Sequence, residues 1–98
     1  METTLEQIKK DTESILKQSD VAYAGIFGSY LHGTARKDSD VDVLVRFSKS
    51  KTLFDLIRLE HALSLCLGKK VDVVTEQSLS KYFRDKVMRD ALLIYGKR

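Results

Sequence analysis

The 98-residue chain contains no proline and a single cysteine, Cys66. One cysteine excludes an internal disulfide framework and a multi-cysteine zinc site. Without proline, the turns must come from clusters of Gly, Ser, Asp and Lys. No apolar run approaches the length of a membrane span, and Met1-Glu2-Thr3-Thr4 does not begin a signal peptide, so a cytoplasmic protein is expected. Internal repeats, low-complexity stretches and linkers are also missing. A chain of this length accommodates one domain, residues 1–98, with one core and little stability in reserve.

Apolar residues make up 43% of the chain and charged residues 32%, a balance that favours a folded domain over disorder. The net charge of +3 is too mild to mark a nucleic-acid binder. Charge is nevertheless uneven. The first twenty residues hold three Lys against five acids, while Glu76 to Arg98 holds six basic residues against three acids. The basic end suits either a solvated helix face or a surface for phosphates or an acidic partner.

Hydrophobic periodicity divides the chain into elements. Leu5, Ile8, Thr12, Ile15 and Leu16 fall at helical spacing, predicting a helix from about Thr4 to Gln18. Val21 to Phe27 reads as a buried strand whose Ala22, Ala24 and Gly25 allow close neighbours. Gly28-Ser29 stops it, and a short helical turn to His32 and a polar loop from Gly33 to Ser39 should follow.

Asp40 to Phe47 alternates, placing Val41, Val43, Val45 and Phe47 on one face and Asp40, Asp42, Leu44 and Arg46 on the other. Thr52 can cap a helix to about Leu67, ended by Gly68. Lys70 to Thr75 reads as a third strand. Ser78 or Ser80 can cap a last helix to about Arg89, with Leu79, Tyr82, Phe83 and Val87 inward. Leu92 to Tyr95 suits a closing strand. The expected fold class is α/β, a small mixed sheet flanked by helices.

Three aspartates stand out. Asp40 and Asp42, two apart on a strand, project to one side, where like charges repel. A divalent cation between them removes that cost, and Mg²⁺ accepts one or two carboxylates plus substrate phosphates. Asp72 interrupts an apolar strand. It is either exposed at an edge or partnered, and it joins the other two if the strands are neighbours. Gly28-Ser29, at a strand-to-helix junction, can seat a phosphate on backbone N–H groups, with the Ser29 hydroxyl as a further donor.

The segment Gly28-Ser29-Tyr30-Leu31-His32-Gly33-Thr34-Ala35-Arg36-Lys37-Asp38-Ser39-Asp40-Val41-Asp42-Val43-Leu44-Val45 resembles the signature of the polymerase-beta-like nucleotidyltransferases. Gly-Ser is followed by ten residues and then Asp-x-Asp, between hydrophobic strands, and Asp72 fits the third acidic position. In length and order the chain is similar to the minimal nucleotidyltransferase (MNT) group, including the MntA-type antitoxins of HEPT/MNT toxin–antitoxin pairs.

That resemblance implies the polymerase-beta-like fold and a catalytic and metal-binding trio of Asp40, Asp42 and Asp72, with nucleotide contacts from Gly28 and Ser29. It implies Mg²⁺ as cofactor, ATP as substrate, and transfer of AMP to a hydroxyl. Among MNT antitoxins the acceptor is a tyrosine of the HEPT-type toxin. A second reading is a nucleotide-binding module that neutralises its partner by contact. A third is transfer to a small hydroxyl compound or an RNA end. Exposed sheet edges leave a homodimer open. Arg36, Lys37 and Arg84 are read as solvated charges, His32 and His61 as structural, and Cys66, Tyr82 and Phe83 as packing residues.

Overall fold

The computed structural model describes residues 5–28 and 40–97. Its elements run α1 (Leu5–Gln18), β1 (Val21–Phe27), β2 (Val41–Phe47), α2 (Leu53–Leu67), β3 (Val71–Thr75), a 3₁₀ turn (Glu76–Ser78), α3 (Lys81–Asp90) and β4 (Leu92–Gly96). The four strands form one sheet in the order β3-β2-β1-β4, with β2–β3 parallel and the other pairs antiparallel. The α2 helix makes the crossover that a parallel β2–β3 pair requires. The sheet is therefore mixed and flanked by helices, as the sequence predicts.

Strand alternation splits the sheet into two faces. On one face Val41, Val43 and Val45 meet Ile8 and Leu16 of α1 and Leu59 and Leu63 of α2, joined by Val71, Val73 and Ile94. On the other face Tyr23 and Leu44 pack with Val87 of α3, bordered by Phe27, Val74, Leu79 and Met88. Among the described residues two helices thus cover one face, and α3 alone covers the other. Thr12, on the inward stripe of α1, is buried, and its hydroxyl donates to the Ile8 carbonyl at 2.7 Å.

Local chemistry sets the element ends. Thr52 caps α2 reciprocally. Its hydroxyl accepts from the Asp55 N–H, and the Asp55 carboxylate accepts from the Thr52 N–H at 2.9 Å. Gly68 ends α2 at φ 65°, in the left-handed region open to glycine. Ser80, rather than Ser78, caps α3. Glu60 and Ser64 of α2 accept from the N–H groups of Val73 and Val71, tying helix and strand together.

Four expectations on α2 and α3 are corrected. Tyr82 and Phe83 are exposed, because α3 lays only its Val87–Met88 side on the sheet. Cys66 is exposed at the α1–α2 seam, where its thiol donates to the Asp11 carbonyl at 3.2 Å. His61 faces solvent and has no structural role in the core. No helix among the described residues is long and apolar enough to cross a membrane.

Candidate active site

The sheet register builds the site. Phe27 lies opposite Asp42 on the β1–β2 ladder, and Asp42 lies opposite Asp72 on the β2–β3 ladder. Phe27, Asp42 and Asp72 thus form a row across three strands on the face that α3 partly covers. The next row is Gly25, Leu44 and Val74, and beyond it Tyr23 pairs with Arg46. The acidic row lies at the end of the sheet where β1 leaves and β2 and β3 enter. Asp40, one residue before β2, is exposed beside it, whereas Asp42 and Asp72 are half-buried.

Electrostatics single out Asp42. Burial pushes its carboxyl above the usual aspartate range, and the neighbouring Asp72 and then Asp40 push it further. Both carboxylates therefore lie near enough to Asp42 to act on it. Asp72 occupies the edge strand and is also matched with Asp42, so its two sequence readings are both true.

Gly28 completes the corner. It adopts φ 79°, and a Cβ placed there would run into the Asp42 carboxylate. The glycine therefore serves two needs at once, a left-handed backbone and the absence of a side chain beside Asp42. Ser29, the expected second phosphate contact, lies outside the described residues, as do His32, Gly33, Arg36, Lys37, the helical turn and the polar loop.

The residues fit a magnesium–nucleotide site of the open kind. Among the described residues no three Asp, Glu, His or Cys side chains form a ready metal cluster. Two adjacent carboxylates with a third exposed beside them suit an ion that takes most of its remaining ligands from phosphate and water. Asp42 is raised first by burial and then by the nearby Asp72 and Asp40 carboxylates, and a bound cation would favour its ionised form.

Farther along the same face, the Arg46 Nε pairs with Glu76 Oε1 at 2.5 Å, and the guanidinium lies 5.8 Å from the Tyr23 ring centroid. Sequence reasoning did not find this pair. Its only signal was that Arg46 shares the alternation of Asp42 and Leu44. Arg84 lies on α3, one turn before Val87, and donates through Nη2 to the Leu79 carbonyl at 3.2 Å. It is half-buried, so it is no plain solvated charge.

Known proteins match the sequence and fold of this chain along nearly its whole length. The family model described as a nucleotidyltransferase domain matches residues 5–94. The protein adenylyltransferase MntA of Thermococcus cleftensis is 36% identical over 95 residues, spanning 93% of this chain and 96% of that one. The solved structure of a provisionally assigned minimal nucleotidyltransferase superposes with a TM-score of 0.79 at 37% identity, covering 91% of this chain and 94% of its own. The fold also matches a complex of tri-AMPylated Shewanella oneidensis HEPN toxin with its MNT antitoxin, at a TM-score of 0.74 and 19% identity, covering 96% and 74% of the two chains.

Proposed function

We propose that this chain, which belongs to the nucleotidyltransferase domain family, moves AMP from ATP onto a tyrosine hydroxyl of a HEPT-type toxin and so acts as its antitoxin. The observation that carries the reading is the cross-strand pair Asp42–Asp72 with Gly28 packed against it.

Asp40 and Asp42 are the residues that would hold Mg²⁺, which would supply charge stabilisation at the phosphate oxygens. Gly28 lets the backbone approach the phosphates, and Ser29 donates its hydroxyl to one of them. Asp72 takes the proton of the acceptor hydroxyl or lends a further carboxylate to the metal. A general base of this kind contributes about 10²- to 10⁴-fold. The acceptor oxygen bonds to the α-phosphorus as the bond to the β-phosphate oxygen breaks, and pyrophosphate leaves.

Support comes from the crowding at Asp42, from relatives named for adenylylation, and from a neighbour solved with an AMPylated toxin. The test is a calorimetric titration of ATP with and without Mg²⁺. Wild type should bind ATP tightly only with the metal, and Asp40→Asn/Asp42→Asn should lose that dependence. Metal-independent binding, equal in both proteins, would refute the assignment of the carboxylates.

A further inference from the structure

We infer that the outward side of α3, built on Tyr82 and Phe83 among basic residues, is the docking surface for an acidic protein acceptor. This inference rests on the proposed adenylyl transfer and identifies where its macromolecular substrate binds.

The first argument is one of faces. The acids stand on the sheet face that carries Tyr23 and Leu44, and α3 is the helix that packs there through Val87. The helix begins just beyond β3, the strand that holds Asp72, and ends where β4 begins beside β1. An acceptor seated on α3 therefore approaches from the same side of the sheet as the open acidic row. Among the described residues the other strongly exposed apolar side chains are on α2, where Phe54 is 74% and Leu65 72% exposed, while Leu92 and Leu93 of β4 are less exposed. That helix lies behind the opposite face, with Leu59 and Leu63 in the main core. A protein docked on α2 would have the sheet between its hydroxyl and Asp72.

The second argument is one of side-chain chemistry. Tyr82 is 85% exposed and Phe83 46%. Two adjacent exposed aromatics on a ten-residue helix leave a large apolar area in water, and Tyr in particular anchors protein interfaces. Around them the exposed charges of α3 are Lys81, Lys86 and Arg89 against Asp85 and Asp90, an excess of one positive charge, with Arg84 half-buried beside them. A partner that covers the aromatics is favoured when it is acidic. That complementarity also speeds encounter and should weaken with salt.

The experiment measures AMP transfer from ATP to the purified HEPT-type toxin, varying toxin at saturating ATP, with ATP affinity measured separately by calorimetry. The variants are Tyr82→Ser/Phe83→Ser and, because that pair sits at the helix start, the charge reversal Lys86→Glu/Arg89→Glu at exposed positions. Phe54→Ser/Leu65→Ser is the control on α2. Both α3 variants should raise KM for the toxin by roughly tenfold or more while ATP affinity stays at the wild-type value. The α2 control should keep its KM.

A wild-type KM in both α3 variants, or a loss confined to the α2 variant, would overturn the inference while leaving the adenylyl-transfer reading intact. A wild type that binds Mg-ATP but transfers no AMP to the toxin would defeat that reading, and this one with it. A short RNA whose binding is lost on charge reversal, with toxin KM unchanged, would make α3 a nucleic-acid surface and likewise overturn the inference.

Discussion

Gly28 and Asp42 constrain one another. The backbone at Gly28 has φ 79°, and the space where a Cβ would stand is taken by the Asp42 carboxylate. Gly28→Ala should therefore combine backbone strain of about 1–3 kcal/mol with displacement of that carboxylate. Thermal unfolding should show a Tm several degrees lower, and Mg-dependent ATP affinity should fall as well. An alanine variant with wild-type Tm and affinity would show that the corner is not so tightly built. Gly25 is a milder case. A Cβ there would lie 2.6 Å from the Tyr23 hydroxyl and 3.3 Å from the Ala91 side chain, so Gly25→Ala should destabilise without touching the acidic row.

Asp42 also has a signature in pH. Its carboxyl is raised by burial, Asp72 and Asp40, so the folded state holds its proton more tightly than the unfolded chain does. Stability from this group is present in acid and is lost as pH climbs from the ordinary aspartate value, about 4, through the raised one. Asp42→Asn, without metal, should have a higher Tm than wild type at pH 7. The gap should close as pH falls to about 4 and below. Added Mg²⁺ with ATP should stabilise wild type and not the variant. A variant that melts below wild type at pH 7 without metal would contradict the charge-crowding account.

Elements were legible wherever periodicity was long and the end chemistry explicit. The alternation from Val41 to Phe47 gave the correct two faces, and Thr52 and Gly68 marked both ends of α2. Thr52→Ala removes one arm of the capping box and should cost about 1 kcal/mol, measurable by denaturant unfolding. Unchanged stability would mean that the Asp55 arm suffices. What the sequence did not reveal was strand order. Asp72 reads as an edge residue or as a partnered one until the β2–β3 register places it opposite Asp42. Helix burial was misread for a related reason. Tyr82 and Phe83 look like core residues by type, yet α3 is short and rests on the sheet through little more than Val87 and Met88. Cys66, similarly, follows an apolar stripe but sits at the end of α2, where α1 no longer covers it fully.

At the scale of the molecule, the sheet separates two jobs. One face, under α1 and α2, holds most of the apolar core, and Leu63→Ala there should cost about 2–5 kcal/mol without altering ATP affinity in the folded protein. Among the described residues α3 covers only part of the other face, where Asp40 is exposed and Asp42 and Asp72 are half-buried. A fold of this size has little surplus stability, so a half-buried carboxyl at Asp42 with acidic neighbours is a sizeable concession to chemistry.

The central claim is that this open acidic row performs nucleotidyl transfer. The most direct measurement follows label from ATP to the HEPT-type toxin with Mg²⁺ present, using ATP labelled at the α-phosphate in one reaction and at the γ-phosphate in another, with Asp42→Asn in parallel. The expected result is α-label on the toxin, γ-label released as pyrophosphate, and no transfer by the variant. Transfer of γ-label, or α-label transfer undiminished in Asp42→Asn, would contradict it.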